Sequence, residues 1–258
     1  MTLWSDDNMI IQSYENSPRS DTCVEYLRCA EIARRCERII LLPIPSTRDN
    51  KTILNTKVDI DMLIDEIGAG DLISGYALPR GFIDSARACG ALVTDLSLDE
   101  EFLTENAALT ALATVGIFLG STRCAPHDTK IGIVGYGRIG KRLTNLFLYL
   151  GASVRVFTSR EGTRLDLCEC GIATAESTGC ADLTGLDILI NTAPAPIFDA
   201  SSIPGHLRII DLASGDNFPK DVRVEKYPSV PAKMFPVSAG REWGRAIERF
   251  LITTYKGG

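Results

Sequence analysis

The chain has 258 residues, of which 45% are hydrophobic and 23% are charged, with a formal net charge of −6 and a pI near 5.1. This balance indicates a globular protein with a substantial core, and it gives no reason to expect nucleic acid or an anionic membrane as a partner. The first residues, MTLWSDDNMI, lack a basic segment followed by an apolar core. We therefore expect no secretory signal and a cytoplasmic protein.

The chain contains eight cysteines and two histidines, and no two cysteines have CxxC spacing. In a chain of this kind, free buried thiols are expected rather than disulfides. Cys168 and Cys170 form the one local pair, but no further ligands stand near them in the sequence. No metal site is therefore predicted.

The first hundred or so residues alternate between strand and helix patterns. Residues 1–20 are polar and irregular, and we expect them to be loosely packed. The predicted elements that follow are a helix over 22–36, a strand in ERIILLPIP (37–45), a helix over 59–67, a strand over 71–78, a helix over 80–89 and a strand over 91–96. This order predicts a small parallel α/β domain.

A long apolar helix is predicted over residues 99–119, because Asp99 and the two glutamates after it favour a helix start. Its apolar part, 107–120, is too short to span a bilayer and is expected to be buried. We interpret the helix as the connection between two packed bodies. The predicted domains are an N-terminal domain over 1–105, a nucleotide-binding domain over 106–238, and a C-terminal helix over 239–258 that packs back on the first domain.

The second half of the chain repeats the alternation of strands and helices. Strands are predicted at 130–135, 153–157, near 172, 187–192, 207–213 and 233–236, with helices at 138–150, 161–170 and 239–252. Trp243, Ala246, Ile247 and Phe250 share one face of the last helix. The predicted fold is α/β: a Rossmann-type doubly wound parallel sheet plus a smaller N-terminal α/β domain, joined by a long interdomain helix.

The segment KIGIVGYGRIGKRL (130–143) carries a GxGxxG motif between a predicted strand and a predicted helix. Gly135 permits the tight turn, Gly137 lets the backbone approach a pyrophosphate, and Gly140 lets helix and strand pack closely. Tyr136 lies inside the turn, and the N–H groups near Arg138 and Ile139 are expected to point at phosphate. The next strand begins within the roughly thirty residues of a βαβ unit, so the motif predicts a dinucleotide site. A Rossmann fold that has lost its ligand is the alternative.

The end of the second strand indicates which dinucleotide is bound. An NAD site places Asp or Glu there, about twenty residues past the motif, to bind the ribose 2′-hydroxyl. This chain has Thr158, Ser159 and Arg160 instead. Without a carboxylate, hydroxyls and a guanidinium can bind a 2′-phosphate, so NADP is predicted as the cofactor, with NAD as second choice. The alternative for Arg160 alone is that it is a solvated charge in a loop and binds no phosphate.

Two further strand ends are expected to face the same crevice, because ligands bind at the carboxyl ends of parallel strands. Small and polar residues there would allow a nicotinamide ribose to approach, and Pro194 and Pro196 would stiffen one loop. The predicted cofactor-binding residues at these ends are Asn191, Thr192, Ala193, Asp211, Ala213 and Ser214. The alternative for each end is that these residues only connect a strand to a loop and bind no ligand.

From about Ile39 to the C-terminus, the chain resembles the family of the dipicolinate synthase A subunits, related to 2-hydroxyacid dehydrogenases and S-adenosylhomocysteine hydrolase. The segments that carry the resemblance are LLPIP (41–45), DEEFLTENAALTA (99–111), GYGRIGKRL (135–143), LGASVRVFTSR (150–160), DILINTAPAPIF (187–198), IIDLAS (209–214) and FPVSAGR (235–241). The glycine motif is common to many dehydrogenases, whereas NTAPAPIF, DLAS and PVSAG in combination are more specific.

The resemblance implies a sporulation-linked, cytoplasmic oxidoreductase that oxidises a dihydrodipicolinate to dipicolinate with NADP, beside a flavoprotein-like second subunit. It also implies that Asn106, Thr110, Ser238 and Gly240 line the substrate cleft. Ser238, Arg241 and the N–H groups of Ala239 and Gly240 are candidates to bind the carboxylates of a small dicarboxylate substrate. Relatives of this type are often dimers or tetramers, so a homo-oligomer is expected.

Several segments depart from the family pattern. Leu112 and Ala113 stand where the family usually has Glu-Gly, and such a Glu would accept a proton or orient a group. YPSVPAKMFP lacks the glycines of the family's PGLPG-like turn, and DLASGDNF is shorter than the family's DLAS-x-PGG run. The strand–helix unit that usually opens the first domain is not recognisable.

Two other functions stay open. A D-2-hydroxyacid dehydrogenase needs an Arg for the substrate carboxylate and a His as acid/base. The corresponding segments offer Ser214 and Ser238, and neither His127 nor His206 stands at such a position. A non-catalytic NADP-binding regulatory or partner subunit is the other alternative, favoured by the missing Glu.

Overall fold

The computed structural model describes residues 1–6, 9–194 and 198–256. The chain divides into two compact units. The first comprises Met1–Asn106 and Pro231–Gly258, and the second is Ala107–Val230.

The first unit is built on a five-stranded sheet with the strands in sequence order. The strands are β1 (Thr2–Asp6), β2 (Met9–Ser13), β3 (Arg38–Leu41), β4 (Asp71–Gly75) and β5 (Leu92–Asp95). Strands β2 to β5 are parallel, and β1 pairs antiparallel with β2 at the edge.

Helices cover both faces of this sheet. They are α1 (Pro18–Cys29) and α7 (Pro236–Lys256) on one face and α2 (Arg80–Ala88) on the other. A short helix, α6 (Val230–Met234), precedes α7. Successive residues of β3 alternate between the faces: Ile39 belongs to the core with Trp243 of α7, and Ile40 to the core with Phe82 of α2. Burial on both faces explains the continuous apolar run of this strand.

The expectation of a loose, irregular N-terminus is wrong. Strand β2 is largely buried although its last residues are polar, because Gln12 and Ser13 find partners nearby. The Gln12 amide donates to the Tyr14 hydroxyl at 2.9 Å, and the Ser13 hydroxyl donates to the Glu15 carbonyl at 2.7 Å. The strand–helix–strand unit β2–α1–β3 therefore opens this domain, where the sequence pattern showed none.

Three other predicted elements also differ from the structure. The helix expected over 22–36 begins earlier, at Pro18, because Ser17 at its N-cap and Ser20 in its first turn form a capping box. It ends at Cys29 and is followed by a 3-10 turn. Ile60–Glu66 is a 3-10 helix rather than an α-helix. Instead of a strand at 233–236, the structure has α6 and the start of α7, where Pro236 occupies the first helical position, which favours a helix start.

The second unit contains a six-stranded, fully parallel sheet. Its strands are β6 (Lys130–Val134), β7 (Ser153–Phe157), β8 (Ala173–Ala175), β9 (Ile188–Asn191), β10 (Arg208–Asp211) and β11 (Glu225–Lys226). The order is β11-β10-β9-β6-β7-β8, the arrangement of a doubly wound dinucleotide-binding domain. Helix α4 (Arg138–Tyr149) follows β6 and α5 (Glu161–Glu169) follows β7. The predicted α/β fold class is confirmed.

Helix α3 (Glu100–Ser121) contains the boundary between the two units. The helix begins before its apolar part (107–120), because Asp99 accepts a hydrogen bond from the Phe102 N–H and so caps the helix start. By length and composition alone α3 could cross a membrane, although 44% of its most apolar window is buried. The core helix of a soluble protein has the same properties, so this is weak evidence for a span.

The cysteines are free thiols, but the expectation that they are buried holds only for Cys23 and Cys36. Burial raises the pKa of both, that of Cys36 to about 11. The other six are exposed because they lie at helix ends and in loops.

The contact between α1 and α7 generates a stability prediction. An ideal Cβ added at Gly240 would lie 2.4 Å from the Arg19 carbonyl oxygen and 2.7 Å from the Thr22 Cβ. Gly240→Ala should therefore lower the free energy of unfolding by about 1–3 kcal/mol through overpacking, measured by urea denaturation. The control is Gly81→Ala in α2, where a Cβ meets nothing within 4 Å. We expect it to be neutral or stabilising by up to about 1 kcal/mol. Equal effects of both variants would contradict close packing at Gly240.

Candidate functional site

The glycine turn after β6 has the backbone that its sequence predicts. Gly135 has a φ of +87°, a conformation that favours glycine, and its N–H donates to the Phe157 carbonyl at 2.8 Å. A Cβ at Gly140 would lie 2.1 Å from the Gly135 carbonyl oxygen, so no side chain fits there. Gly137 is different, because a Cβ there would meet nothing within 4 Å. The turn is thus packed on its inner side and open at Gly137.

Thr192 ties this turn to the neighbouring strand β9. Its hydroxyl donates to the Val134 carbonyl at 2.7 Å, and its backbone N–H donates to the same oxygen at 3.0 Å. A Cβ at Gly135 would lie 2.8 Å from the Thr192 hydroxyl oxygen. Thr192, predicted as a cofactor contact, therefore supports the last residue of β6 and the turn that follows.

The N-terminus of α4 begins at the open side of the turn. Gly137 is its N-cap and no side chain caps it. Backbone N–H groups in this position, together with the helix dipole, suit an anion. Arg138 is exposed and Ile139 half-buried. The Lys141 ammonium lies over the Tyr136 ring, 5.6 Å from the ring centre. Burial raises the pKa of the Tyr136 hydroxyl.

The three residues that follow β7 differ in their exposure. Thr158 is buried, and its N–H donates to the Ala175 carbonyl at 3.1 Å, while Ser159 and Arg160 are exposed. Arg164, one helical turn after Arg160, donates to the Thr158 carbonyl at 2.8 Å. Arg164 was not predicted as a site residue, although its position one helical turn after Arg160 on a predicted helix was a usable signal.

The ends of β9 and β10 meet in a buried polar cluster. The Asn191 amide donates to an Asp211 carboxylate oxygen at 2.8 Å, and the Ala193 N–H donates to the Asn191 side chain at 3.1 Å. Asp211 also accepts from the Ala213 N–H at 3.1 Å and from Asn217. Asn191 and Asp211 thus hold each other and their loops, whereas Ser214 is exposed. Pro196, expected to stiffen the first loop, lies outside the described residues.

The sheet order fixes where these groups lie relative to one another. The chain leaves β6 toward β7 and β8 on one side, and the later strands β9 to β11 are added on the other side. In open parallel sheets, this switch point between β6 and β9 is the place where ligands bind, outside the carboxyl ends of the strands. The glycine turn lies at the switch point, with Ser159 and Arg160 on the β7 side and Ser214 on the β10 side.

The predicted substrate-side residues lie on α3 and α7. Asn106 is half-buried and Thr110 is buried on α3, and both have interaction partners. Ser238 and Arg241 are exposed on α7, and Arg241 lines a groove of about 460 Å³ beside Tyr26 of α1.

The idea that the N–H groups of Ala239 and Gly240 open the last helix is wrong. Because α7 begins at Pro236, the Ala239 N–H already donates to the Phe235 carbonyl at 2.9 Å. Gly240 is buried against α1.

Both histidines precede strands rather than follow them. His127 lies in the 3-10 turn Pro126–Asp128 before β6, and His206 lies just before β10. Both are exposed. They lie at the amino ends of the strands, opposite the edge where the glycine turn lies.

No protein-family model matches the chain. Among curated proteins, it is similar to the A subunit of dipicolinate synthase from Bacillus subtilis (strain 168), with 25% identity over 157 residues. The alignment covers 57% of this chain and 53% of that protein, so the chain matches about half the length of this relative.

Solved structures show the same fold. The A subunit of dipicolinate synthase from Bacillus subtilis superposes with a TM-score of 0.75 at 18% identity, covering 96% of both chains. Its counterpart from Bacillus halodurans gives 0.69 at 22% identity, covering 83% of this chain and 79% of that one. An NAD complex of a D-isomer specific 2-hydroxyacid dehydrogenase from Lactobacillus delbrueckii gives 0.56 at 10% identity, covering 97% of each. The resemblance expected from the sequence is confirmed as a similarity, and the dehydrogenase-like fold is established.

The Thr192 contact is testable by removing its hydroxyl. Thr192→Val keeps the shape but deletes the bond to the Val134 carbonyl, so the free energy of unfolding should fall by about 1 kcal/mol. Amide exchange over residues 135–140 should become faster. The control is Thr253→Val, where an exposed hydroxyl bonds the Arg249 carbonyl inside a helix, and there we expect a change within about 0.5 kcal/mol. Unchanged exchange in the turn would contradict the role given to Thr192.

Proposed function

We propose that the Ala107–Val230 unit binds a nicotinamide dinucleotide, NADP in preference to NAD. We further propose that the protein is a cytoplasmic oxidoreductase similar in activity to the dipicolinate synthase A subunits, acting as a homo-oligomer. The observation that carries the proposal is the glycine turn at the switch point of the sheet. The turn is tightly packed at Gly135 and Gly140 but open at Gly137, where α4 begins without a side-chain cap. The fold similarity to an NAD-complexed dehydrogenase agrees with this assignment.

The residues present fit the parts of the dinucleotide. The pyrophosphate would lie over Gly137 and the first N–H groups of α4, where no Cβ intrudes. The adenosine half would then extend toward the end of β7, and the nicotinamide half toward β9 and β10.

The preference for NADP rests on charge at the end of β7. Exposed Ser159 and Arg160 supply a hydroxyl and a guanidinium, and no carboxylate stands among residues 158–160 to repel a 2′-phosphate. Arg164 fixes the Thr158 carbonyl and adds positive charge one helical turn away.

For the reaction, we propose oxidation of a dihydrodipicolinate to dipicolinate. The nicotinamide, when bound, supplies the hydride acceptor. The protein's own residues would bind the two carboxylates and orient the ring, with the lost proton going to solvent or a base. Asn106, Thr110, Ser238 and Arg241 are the proposed substrate-side residues, and the exposure of Ser238 and Arg241 leaves them available to a ligand.

One observation favours a second candidate, an NADP-binding partner subunit without its own chemistry. Leu112, at the position where the resembled family usually has Glu, is half exposed (50%) and offers no proton acceptor. In this case the flavoprotein-like second subunit would perform the reaction, and this chain would bind NADP without turning it over.

The nucleotide preference is tested by titrating the protein with NADPH and NADH and following nucleotide fluorescence. NADPH should bind at least about tenfold more tightly, which corresponds to about 1.4 kcal/mol. Arg160→Glu should abolish that preference, because a carboxylate repels the 2′-phosphate and suits a free 2′-hydroxyl.

The matched control is Arg123→Glu, which makes the same charge change at an exposed site before β6, away from the carboxyl ends of the strands. It should leave both affinities within about twofold. If neither nucleotide binds at millimolar concentration, the binding proposal is wrong. If NADH binds more tightly, the assignment of NADP is wrong.

The two candidate functions separate in a turnover assay. The purified protein is mixed with NADP and freshly generated dihydrodipicolinate, with and without a flavoprotein-like partner, and the formation of NADPH is followed by its absorbance. An enzyme should form NADPH alone or with the partner, and Ser238→Ala or Arg241→Ala should slow it at least about tenfold. Tight NADP binding with no NADPH formed in either mixture would favour the non-catalytic subunit.

A further inference from the structure

Asn217, which was not among the predicted site residues, lies at the centre of the loop that follows β10. Its side chain is almost fully buried, with 3% of the residue exposed. The amide nitrogen donates to the Asp211 carboxylate at 3.1 and 3.4 Å and to the Ser214 carbonyl at 3.1 Å. One side chain thus joins the end of a strand to the tip of the loop.

Asp211 connects this loop to the neighbouring strand. Its carboxylate, in a residue only 1% exposed, accepts from the Asn191 amide on β9 and from the Ala213 N–H on the loop. A buried carboxylate needs such donors, since an unsatisfied charge in the interior is strongly destabilising. The loops after β9 and β10 are therefore held around one carboxylate by two amide side chains.

The outer side of the loop has its own attachment. The Lys226 ammonium on β11 binds the Gly215 carbonyl at 3.2 Å and the Asp216 carboxylate at 2.6 Å. Gly215 has a φ of +88°, which allows the chain to turn back around Asn217. The backbone at Ala213 and Ser214 is therefore held on both sides, by Asp211 before it and by Asn217 and Lys226 after it.

The geometry points to Asn217 as a positioning residue for the nicotinamide half of the bound dinucleotide, acting through Asp211 and the Ala213–Ser214 backbone. This inference rests on the proposed dinucleotide binding. The adenosine half is independent of Asn217, because the end of β7 is held by other contacts, the Thr158 N–H to the Ala175 carbonyl and Arg164 to the Thr158 carbonyl.

The independence of the two halves provides the test. Asn217→Ala and Asn217→Asp are titrated by calorimetry with NADPH and with adenosine 2′,5′-bisphosphate, which lacks the nicotinamide half. Asn217→Ala should weaken NADPH binding at least about tenfold and leave the bisphosphate within about twofold. Asn217→Asp should weaken NADPH further, because it replaces the donor with a second carboxylate beside Asp211.

The control is Asn145→Ala, an exposed asparagine on α4, which should alter neither affinity. Thermal unfolding of each variant, together with its bisphosphate affinity, shows whether it is folded. If NADPH and the bisphosphate weaken equally, Asn217 supports only the fold and the inference is overturned. Unchanged NADPH affinity in both variants overturns it as well.

Failure of the inference can be told apart from failure of the proposed function. If the wild type binds both ligands and only the variants behave unexpectedly, dinucleotide binding stands and the role of Asn217 falls. If the wild type binds neither NADPH nor NADH, the proposed function is wrong and the inference falls with it.

Discussion

The candidate site depends on how closely α4 approaches the turn that precedes it. A single carbon atom added at Gly140 would lie 2.1 Å from the carbonyl oxygen of Gly135, far inside van der Waals contact. This approach fixes the start of α4 against the end of β6, and the left-handed backbone at Gly135 is what allows the chain to turn there. Thr192 then supports the same turn from β9. The direction of the first N–H groups of α4 follows from these constraints.

The sequence predicted this part of the molecule well because its determinants are local. Gly135, Gly137 and Gly140 are close in the chain, and the backbone reasons for glycine at each position are known in advance. The alternation of apolar runs with helical patterns likewise predicted a parallel sheet, since strands buried on both faces are continuously apolar. Helix α4, which has a strong amphipathic period, and α3, which has a long apolar run after an acidic start, were located within a few residues.

The parts that could not be predicted depend on contacts between residues that are distant in the chain or on polar groups that are buried. Strand β2 was missed because Gln12 and Ser13 look like surface residues until their hydrogen bonds are known. Asn217 was missed because it lies in a polar loop, where the sequence does not show that its side chain is buried beside Asp211. The start of α7 was placed too late because residues 233–236 were predicted as a strand, whereas Pro236 is the first helical residue.

The strand ends of the second unit contain two kinds of polar residue, and the structure separates them. Asn191, Thr192 and Asp211 direct their side chains to backbone groups and to one another, which makes them part of the scaffold. Ser159, Arg160 and Ser214 are exposed at the same edge. A group that is already hydrogen-bonded must give up a partner before it can bind a ligand, whereas an exposed group gives up only water. Specificity for a ligand is therefore expected from the exposed set, and the shape of the site from the buried one. A substitution in the exposed set should change the groups that are offered to a ligand, whereas one in the buried set should change the loops that position those groups.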